Sequence, residues 1–265
     1  MANISNLAYV HPEARLADDV VIGAFCYIDR NVEIGAGTKV HSHVSILSGA
    51  RIGKNNVIYE GAIISATPQD FRWKGEDSFV VIGDNNNIRE QVIINRSIHK
   101  DGKTVIGNKS HIMAQSHIGH DTEIGNYCVL GNSVKVAGDV KIGDFTILSS
   151  HALVHEKCQV GDWVMIKGGC RVTGHVPPFV IMAHNPITYY GVNAWILEKA
   201  KKSDQIITDI AKCYRHVYQN SASVYNALRR IKEDIDPSPE REAILSFIET
   251  HKMKLAGVPM SDLDE

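Results

Sequence analysis

The sequence predicts an all-β solenoid, a parallel β-helix of hexapeptide repeats, followed by an α-helical C-terminal region. Two observations predict it. An aliphatic-Gly dipeptide recurs at Ile22-Gly23, Ile34-Gly35, Ile52-Gly53, Ile82-Gly83, Ile106-Gly107, Ile124-Gly125, Ile142-Gly143 and Val160-Gly161, and every gap is a multiple of six. Stepping by six from Ile4 to Val172 meets 29 positions, of which 26 are Ile, Leu or Val. A period of six is not that of an amphipathic helix, which repeats every 3.6 residues. It suits a coil with three flat faces, about ten coils in all, each face giving one inward aliphatic side chain to a continuous core.

The elements follow in chain order. Residues 1–185 form the β-helix. Glycine after the inward aliphatic is expected to supply a positive φ at each turn. Asn and Asp gather in the same turns, as at Asn55, Asn56, Asp84, Asn85, Asn126, Asp144 and Asp162. A second inward position lies two residues before each aliphatic and takes small residues, among them Cys26, Thr38, Ser116, Cys128, Cys158 and Cys170. Four of the five cysteines are therefore expected as packing residues, without disulfide or zinc. The three exceptions to the repeat, Asp70, Glu76 and Lys100, mark loops near 66–80 and 96–104. Insertions in a solenoid emerge on one side, often the functional one.

Residues 186–265 form the helical region. Val176-Pro177-Pro178 and Asn185-Pro186 end the repeat. Ile207, Ile210, Ala211, Tyr214, Val217 and Tyr218 form one helical stripe, and Val224, Ala227, Leu228 and Ile231 a second. Ser238-Pro239-Glu240 reads as the start of a third helix running to about Lys252. The tail Met260–Glu265 is expected to fray. Basic residues from Lys199 to Lys232 give this region a patch that reads as a solvated face or a dock for an acidic partner.

Composition narrows the function. The 265 residues carry a net charge of −2, which argues against a general nucleic-acid binder. Met1 to His11 show no signal-peptide pattern, and no apolar run approaches the roughly 18 residues of a membrane span. The protein is expected in the cytoplasm.

The densest polar constellation is His117-Ile118-Gly119-His120-Asp121. Ile118 points inward, so both histidines lie outward or at a corner. A histidine beside a carboxylate suits a general base near neutral pH; an ordinary surface role stays open. A zinc reading rests on the 13 histidines, with His111 and His117 one repeat apart.

The ordered motifs carry a resemblance. They include His11-Pro12, Gln69-Asp70 with Gly75-Glu76, Ile88-Arg89-Glu90, the His117–Asp121 run, Val136-Ala137-Gly138, Gly168-Gly169-Cys170, Val176-Pro177-Pro178 and Gly191-Val192-Asn193. From about Tyr9 to Phe247 the chain resembles the bacterial UDP-N-acetylglucosamine O-acyltransferases, which open lipid A synthesis. The resemblance implies a left-handed β-helix, a homotrimer with sites between subunits, and transfer of a 3-hydroxyacyl group from acyl carrier protein to the 3-hydroxyl of the sugar nucleotide. It implies no metal, no covalent acyl-enzyme and no cofactor beyond the donor's phosphopantetheine. Carried over, His120 would be the general base, Asp121 its support and the Gly138 N–H the oxyanion donor. Asp70, Arg72 and His117 would contact the sugar nucleotide. Asn193 would sit near nucleotide or pantetheine, and Asp139, His155, Glu156 and Lys199 around the substrates. Gly168 falls where the family sets acyl length, and a glycine there implies a long chain. The basic helices would meet acyl carrier protein.

The chain departs from the pattern in places. Asp139 and Glu156 stand where His and Gln are common, and Asn95-Arg96-Ser97 where His-Arg-Gly is common. Pro186 replaces a usual histidine, and Trp195 to Lys202 replaces an Arg-rich stretch. Lysine is not an equal substitute for arginine at phosphate. Three alternatives remain: a relative acylating another sugar nucleotide, such as a 3-amino sugar; a zinc protein resembling the γ-class carbonic anhydrases; and a non-catalytic scaffold that kept the fold, against which the His120-Asp121 pair counts.

Overall fold

The computed structural model describes residues 2–219, 223–251 and 254–258. Each of the 26 aliphatic positions lies in its own short strand, most of them two residues long. Successive strands pass through three parallel sheets, here called faces A, B and C. The coils wind left-handed, against the usual crossover rule. Inward residues stack on inward residues 18 positions on: Ile22 on Val40, Ile118 on Val136, Ile124 on Ile142. Their side chains are essentially inaccessible, and each full burial of this kind is worth roughly 1.5–3 kcal/mol. The expected ten coils come out nearer nine, with nine strands on face B, because three of the 29 positions fall in loops.

The small inward position is occupied as expected. Cys26, Thr38, Ser116, Cys128, Cys158 and Cys170 are all buried. Hydroxyls there also donate to a corner carbonyl of the next coil: Thr38 to Gly53 at 2.9 Å, Ser116 to Gly131 at 3.0 Å and Thr146 to Gly161 at 2.8 Å. All five cysteines are free and buried, and burial pushes the Cys128 thiol up to about 12.

The role expected for the repeat glycines is corrected. Those that follow the inward aliphatic do not carry the positive φ; residues two further along do, such as Asn85 at 60°, Lys109 at 56° and Asp121 at 59°. The glycine answers a close approach instead. A Cβ on Gly83 would lie 2.7 Å from the Gly107 carbonyl oxygen and 2.5 Å from Asn108 Oδ1.

Both loops leave the corner between faces B and C. Strands Ile63–Ala66 and Phe79–Ile82 trim the first to 67–78, and strands Ile93–Asn95 and Lys103–Ile106 trim the second to 96–102. Pairing resumes in phase across them, Ile64 on Ile94 and Ile94 on Ile118.

Beyond Val172, strand Val180–Ala183 continues face A and turns back through a cis Asn185-Pro186 into the antiparallel strand Thr188–Val192. The boundary expected after residue 185 thus falls inside a hairpin. Four helices follow among the described residues: α1 (Ala194–Lys199), α2 (Asp204–Tyr218), α3 (Val224–Asp234) and α4 (Pro239–His251). Ser203 and Ser223 cap α2 and α3, accepting from Ile206 and Asn226 N–H. Short α1 was not anticipated; its first turn has no side-chain cap to announce it. Lys252 and the tail Met260–Glu265 lie outside the described residues. The Tyr214 hydroxyl donates to the Pro178 carbonyl, and Tyr189 stacks on Tyr218 at 4.6 Å, fastening α2 to solenoid and hairpin. Among the described residues no helix is long and apolar enough to cross a membrane.

Gly83→Ala should lower stability by about 1–3 kcal/mol through overpacking, whereas Asn85→Gly should stay within about 0.5 kcal/mol; urea unfolding of both variants checks this. His175 accepts from the Gln159 N–H at 3.1 Å. Burial, with His251 and Lys254 nearby, brings it down to about 4. Its folded state therefore binds fewer protons than the unfolded chain between about pH 4 and pH 6.5, and stability should fall as pH drops through that window. His175→Gln should flatten this part of the pH–stability curve.

Candidate active site

The site is built on one corner. Strand His117–Ile118 closes face B, residues 119–122 turn, and strand Glu123–Ile124 opens face C. Asp121 takes the left-handed φ of 59° that recurs at the corners from Phe25 onward, a conformation in which Asp is several-fold enriched. Its N–H donates to Thr104 Oγ1 at 2.9 Å. His120 is only 8% exposed.

The His120 ring is held from both sides. Its Nδ1 lies 2.9 Å from Asp121 Oδ2. An ionised carboxylate only accepts, so Nδ1 carries the proton and Nε2 the lone pair. Nε2 in turn faces Asp70 Oδ2 at 3.3 Å. Two acceptors at that distance need a proton between them. The imidazolium formed when Nε2 takes a proton would place one there.

The first loop delivers Asp70. Arg72 grips it through Nε and a terminal nitrogen at 2.7–3.1 Å, and its backbone N–H donates to Oδ1 at 2.8 Å. These contacts hold the Asp70 carboxyl far below the usual carboxylate range and push the Arg72 guanidinium up. Arg72 also reaches Glu156 at 3.2 Å. The Arg72–Glu156 contact spans 84 positions in sequence and ties the first loop to a coil beyond the His120 corner.

Gly138 occupies the same corner one coil on. A Cβ there would lie 2.4 Å from His120 Nε2 and Cε1, so only glycine lets the ring lie against this backbone. The Gly138 N–H makes no hydrogen bond among the described residues. On the corner between faces C and A, successive equivalent N–H groups from Lys54 to Asp144 are taken by an acid or amide one coil on: Lys54 N–H by Asp84, Asn108 by Asn126, Asp144 by Asp162. Here the residue one coil beyond Gly138 is Glu156, whose carboxylate is turned to Arg72. This corner carries no such ladder, and the Gly138 N–H stays available as a donor.

The other expected residues are placed as follows. His117 Nε2 meets Asn95 Oδ1 at 2.6 Å, and burial, with Lys135 and His120 adding to it, lowers its pKa. Asp139 follows Gly138 and donates its N–H to the His120 carbonyl at 2.9 Å. His155 Nε2 accepts from Arg171 Nε at 2.7 Å. Gly168 sits at the opposite edge of face B, at the corner between faces A and B; a Cβ there would come 3.1 Å from the Ser150 carbonyl oxygen and otherwise meet little. Asn193 is buried and its amide donates to the Trp163 carbonyl at 2.9 Å, so within the chain that side chain anchors the start of α1. Lys199 lies over the Trp195 ring at 6.0 Å. In the basic patch, Lys202, Lys212, Arg229 and Lys232 are paired with Glu240, Asp209, Glu233 and Glu249. Lys199, Lys201, Arg215 and Arg230 have no ion pair among the described residues. His111 and His117 lie on different faces, A and B, rather than side by side. Among the described residues no three His, Cys, Asp or Glu gather as metal ligands.

Sequence reasoning did not reach two residues at and just after the end of strand Ile93–Asn95. Asn95 and Ser97 stood out only as departures from a motif. Asn95 orients His117, and the Ser97 hydroxyl meets Asp121 Oδ1. A polar residue beside a loop that replaces a repeat was the only signal.

Family models match three stretches: the second domain of UDP-N-acetylglucosamine O-acyltransferase over residues 175–256, six bacterial transferase hexapeptide repeats over 103–138, and the GMPPB C-terminal domain over 4–105. The acyl-acyl-carrier-protein–UDP-N-acetylglucosamine O-acyltransferase of Thermodesulfovibrio yellowstonii is 37% identical over 95% of this chain and 98% of its own. A UDP-N-acetylglucosamine acyltransferase structure from Bacteroides fragilis superposes with a TM-score of 0.93 at 44% identity, covering 95% of this chain and 98% of that one. The Francisella novicida enzyme gives 0.92 at 36% identity, covering 99% of each chain. The chain belongs to the UDP-N-acetylglucosamine O-acyltransferase family.

Proposed function

We propose that this protein transfers a 3-hydroxyacyl group from acyl carrier protein to the 3-hydroxyl of UDP-N-acetylglucosamine, the first step of lipid A synthesis. Family membership supports the reaction. The observation that carries the mechanism is the His120 ring, oriented by Asp121 and lying against Gly138, whose N–H makes no hydrogen bond among the described residues.

The sugar 3-hydroxyl comes up beside Asp70 on the Nε2 side of His120 and donates to Nε2. As its oxygen attacks the thioester carbonyl, Nε2 takes the proton. The carbonyl oxygen becomes an oxyanion and accepts the Gly138 N–H. The tetrahedral intermediate then breaks its C–S bond. The thiolate of the pantetheine arm leaves and recovers the proton from His120, giving ester and thiol. Asp121 and Asp70 both face the imidazolium while it exists, and Arg72 keeps Asp70 ionised for that purpose. His117 and Asp70 contact the sugar nucleotide, with Arg72, Asp139, His155 and Glu156 around it. Asn193, buried through its side chain, contributes by holding α1 and Lys199 in place.

The donor chain lies along face B. Gly168 belongs to a coil three beyond that of His120, about 14 Å along the axis at roughly 4.8 Å per coil. That reach suits a long acyl chain. The donor needs no cofactor beyond its own phosphopantetheine. Lys199, Lys201, Arg215 and Arg230 are the cations left to meet acidic acyl carrier protein. The working form is a cytoplasmic homotrimer.

Transfer of a labelled 3-hydroxyacyl group from acyl carrier protein to UDP-N-acetylglucosamine tests the reading. His120→Ala should lower kcat by about 10²-fold or more, the usual contribution of a general base. Gly138→Ala should do comparable damage, since its methyl displaces the ring. Product from a 3-amino sugar nucleotide alone would replace the acceptor, and transfer undiminished in His120→Ala would sink the mechanism. Gly168→Met should move the preferred acyl chain to a shorter length, read as the ratio of kcat/KM across donors; an unchanged ratio would remove Gly168 from the acyl path.

A further inference from the structure

Asp121 is held by more than its histidine. Its side chain is 12% exposed, so its charge depends on protein donors. Oδ2 accepts the His120 Nδ1–H at 2.9 Å and the Ile98 N–H at 3.1 Å. Oδ1 is met by the Ser97 hydroxyl, which is fully buried. The His99 N–H donates to Ser97 Oγ at 2.9 Å, which turns the hydroxyl proton away from His99 and onto the carboxylate. The other acceptor in reach, the His99 carbonyl, is 3.5 Å off.

The second loop is shaped around this contact. A Cβ on Gly102 would lie 2.2 Å from Ser97 Oγ. The Ser78 hydroxyl of the first loop donates to the Ser97 carbonyl at 2.6 Å, and the Asp101 N–H to the Asp77 carbonyl at 2.8 Å. Asn95 donates to the Thr67 carbonyl at 2.6 Å. The two loops thus clamp Ser97 against Asp121.

We propose that Ser97 is a positioning residue for acyl transfer: its hydroxyl fixes the Asp121 carboxylate, and Asp121 so fixed holds His120 with Nδ1 protonated and Nε2 directed at the acceptor. The inference rests on His120 being the base. Ser97 stands where the resembling family commonly has glycine, so this hold is a property of this chain's loop. Facing His120 are Asp121 at Nδ1, Asp70 with Arg72 behind it at Nε2, the Gly138 backbone, and His117 on the preceding strand. Removing the Ser97 hydroxyl leaves all of these in place. It takes one donor from Oδ1, leaves a buried acceptor unmet, and concentrates the carboxylate charge on His120.

The test is the steady-state kinetics of Ser97→Ala, Ser97→Gly and Ser97→Thr in the full-length protein, with 3-hydroxyacyl carrier protein and UDP-N-acetylglucosamine across pH. Ala and Gly should lower kcat about tenfold, the equivalent of about 1.4 kcal/mol, with KM for both substrates within about twofold. The acidic limb of kcat/KM should move to higher pH by about half a unit, because the stronger charge on His120 favours its protonated form. Thr should restore both. Wild-type kcat and an unmoved limb in Ala and Gly would overturn the proposal. So would equal losses in all three with the limb unmoved, which would mean packing, and so would failure of every variant to fold. Undiminished transfer by His120→Ala would instead overturn the base assignment beneath it, whatever the Ser97 variants do.

Discussion

The stacking of one inward aliphatic on the next is the constraint from which the rest of the molecule follows. Ile118 must meet Val136, and Ile94 must meet Ile118, or the core column breaks. An insertion is tolerated only if it returns the chain to the same phase. The partner of Ile64 lies 30 residues on and that of Ile94 lies 24 on, against the ordinary 18. The two excursions therefore add whole hexads, and both leave and re-enter at one corner. They have nowhere to fold but over each other and over the coil that follows. That coil carries His120 and Asp121. The core thus delivers Asp70 and Ser97 to a histidine with which they share no local sequence.

The corners show how a structural motif becomes a chemical one. At the corner between faces C and A, a ladder of acids and amides accepts backbone N–H groups from coil to coil, Asn126 to Asp144 and Asp144 to Asp162. That ladder satisfies donors that would otherwise be orphaned. At the corner between faces B and C, glycine at 138 offers no acceptor and Glu156 serves Arg72 instead. Without such a ladder, an N–H is left beside the imidazole. The same absence of a side chain at 138 makes room for the ring.

Much of this was legible in the sequence, for a physical reason. The repeat is enforced at every sixth residue by burial, so Ile4 to Val172 reports the coils directly. The small inward cysteines were legible for the same reason. The motifs singled out His120, Asp121 and Gly138, which the structure brings together. What was not legible depends on contacts that no period governs. The glycine after the aliphatic looked like a φ residue, yet its role is set by the backbone of the coil above, as Gly83 against Gly107 shows. That the Asn193 amide anchors α1 by donating to the Trp163 carbonyl 30 residues away had no sequence signal. Helix α1 has no side-chain cap. Ser97 is one polar residue in a polar loop, and only the clamp of two loops gives it a partner.

The acid-rich surroundings of His120 then make electrostatic sense. Four carboxylates, Asp70, Asp121, Asp139 and Glu156, stand near a site proposed to handle anionic substrates. Two of them are neutralised in place: Asp70 by Arg72, and Glu156 by Arg72 and Lys157 at 3.2 and 3.6 Å. Asp121 is met by neutral donors and by His120 itself. The field that remains falls mainly on the imidazole, where positive charge appears only as the acceptor oxygen attacks. Dipoles and charges set in advance around a developing charge lower a barrier without reorganising. On the mechanism proposed, Asp70 and Asp121 do this for the imidazolium and Gly138 does it for the oxyanion. Three of the four carboxylates thus have their charge tied to local cations or to the histidine, which lets this acidic corner take an anionic substrate.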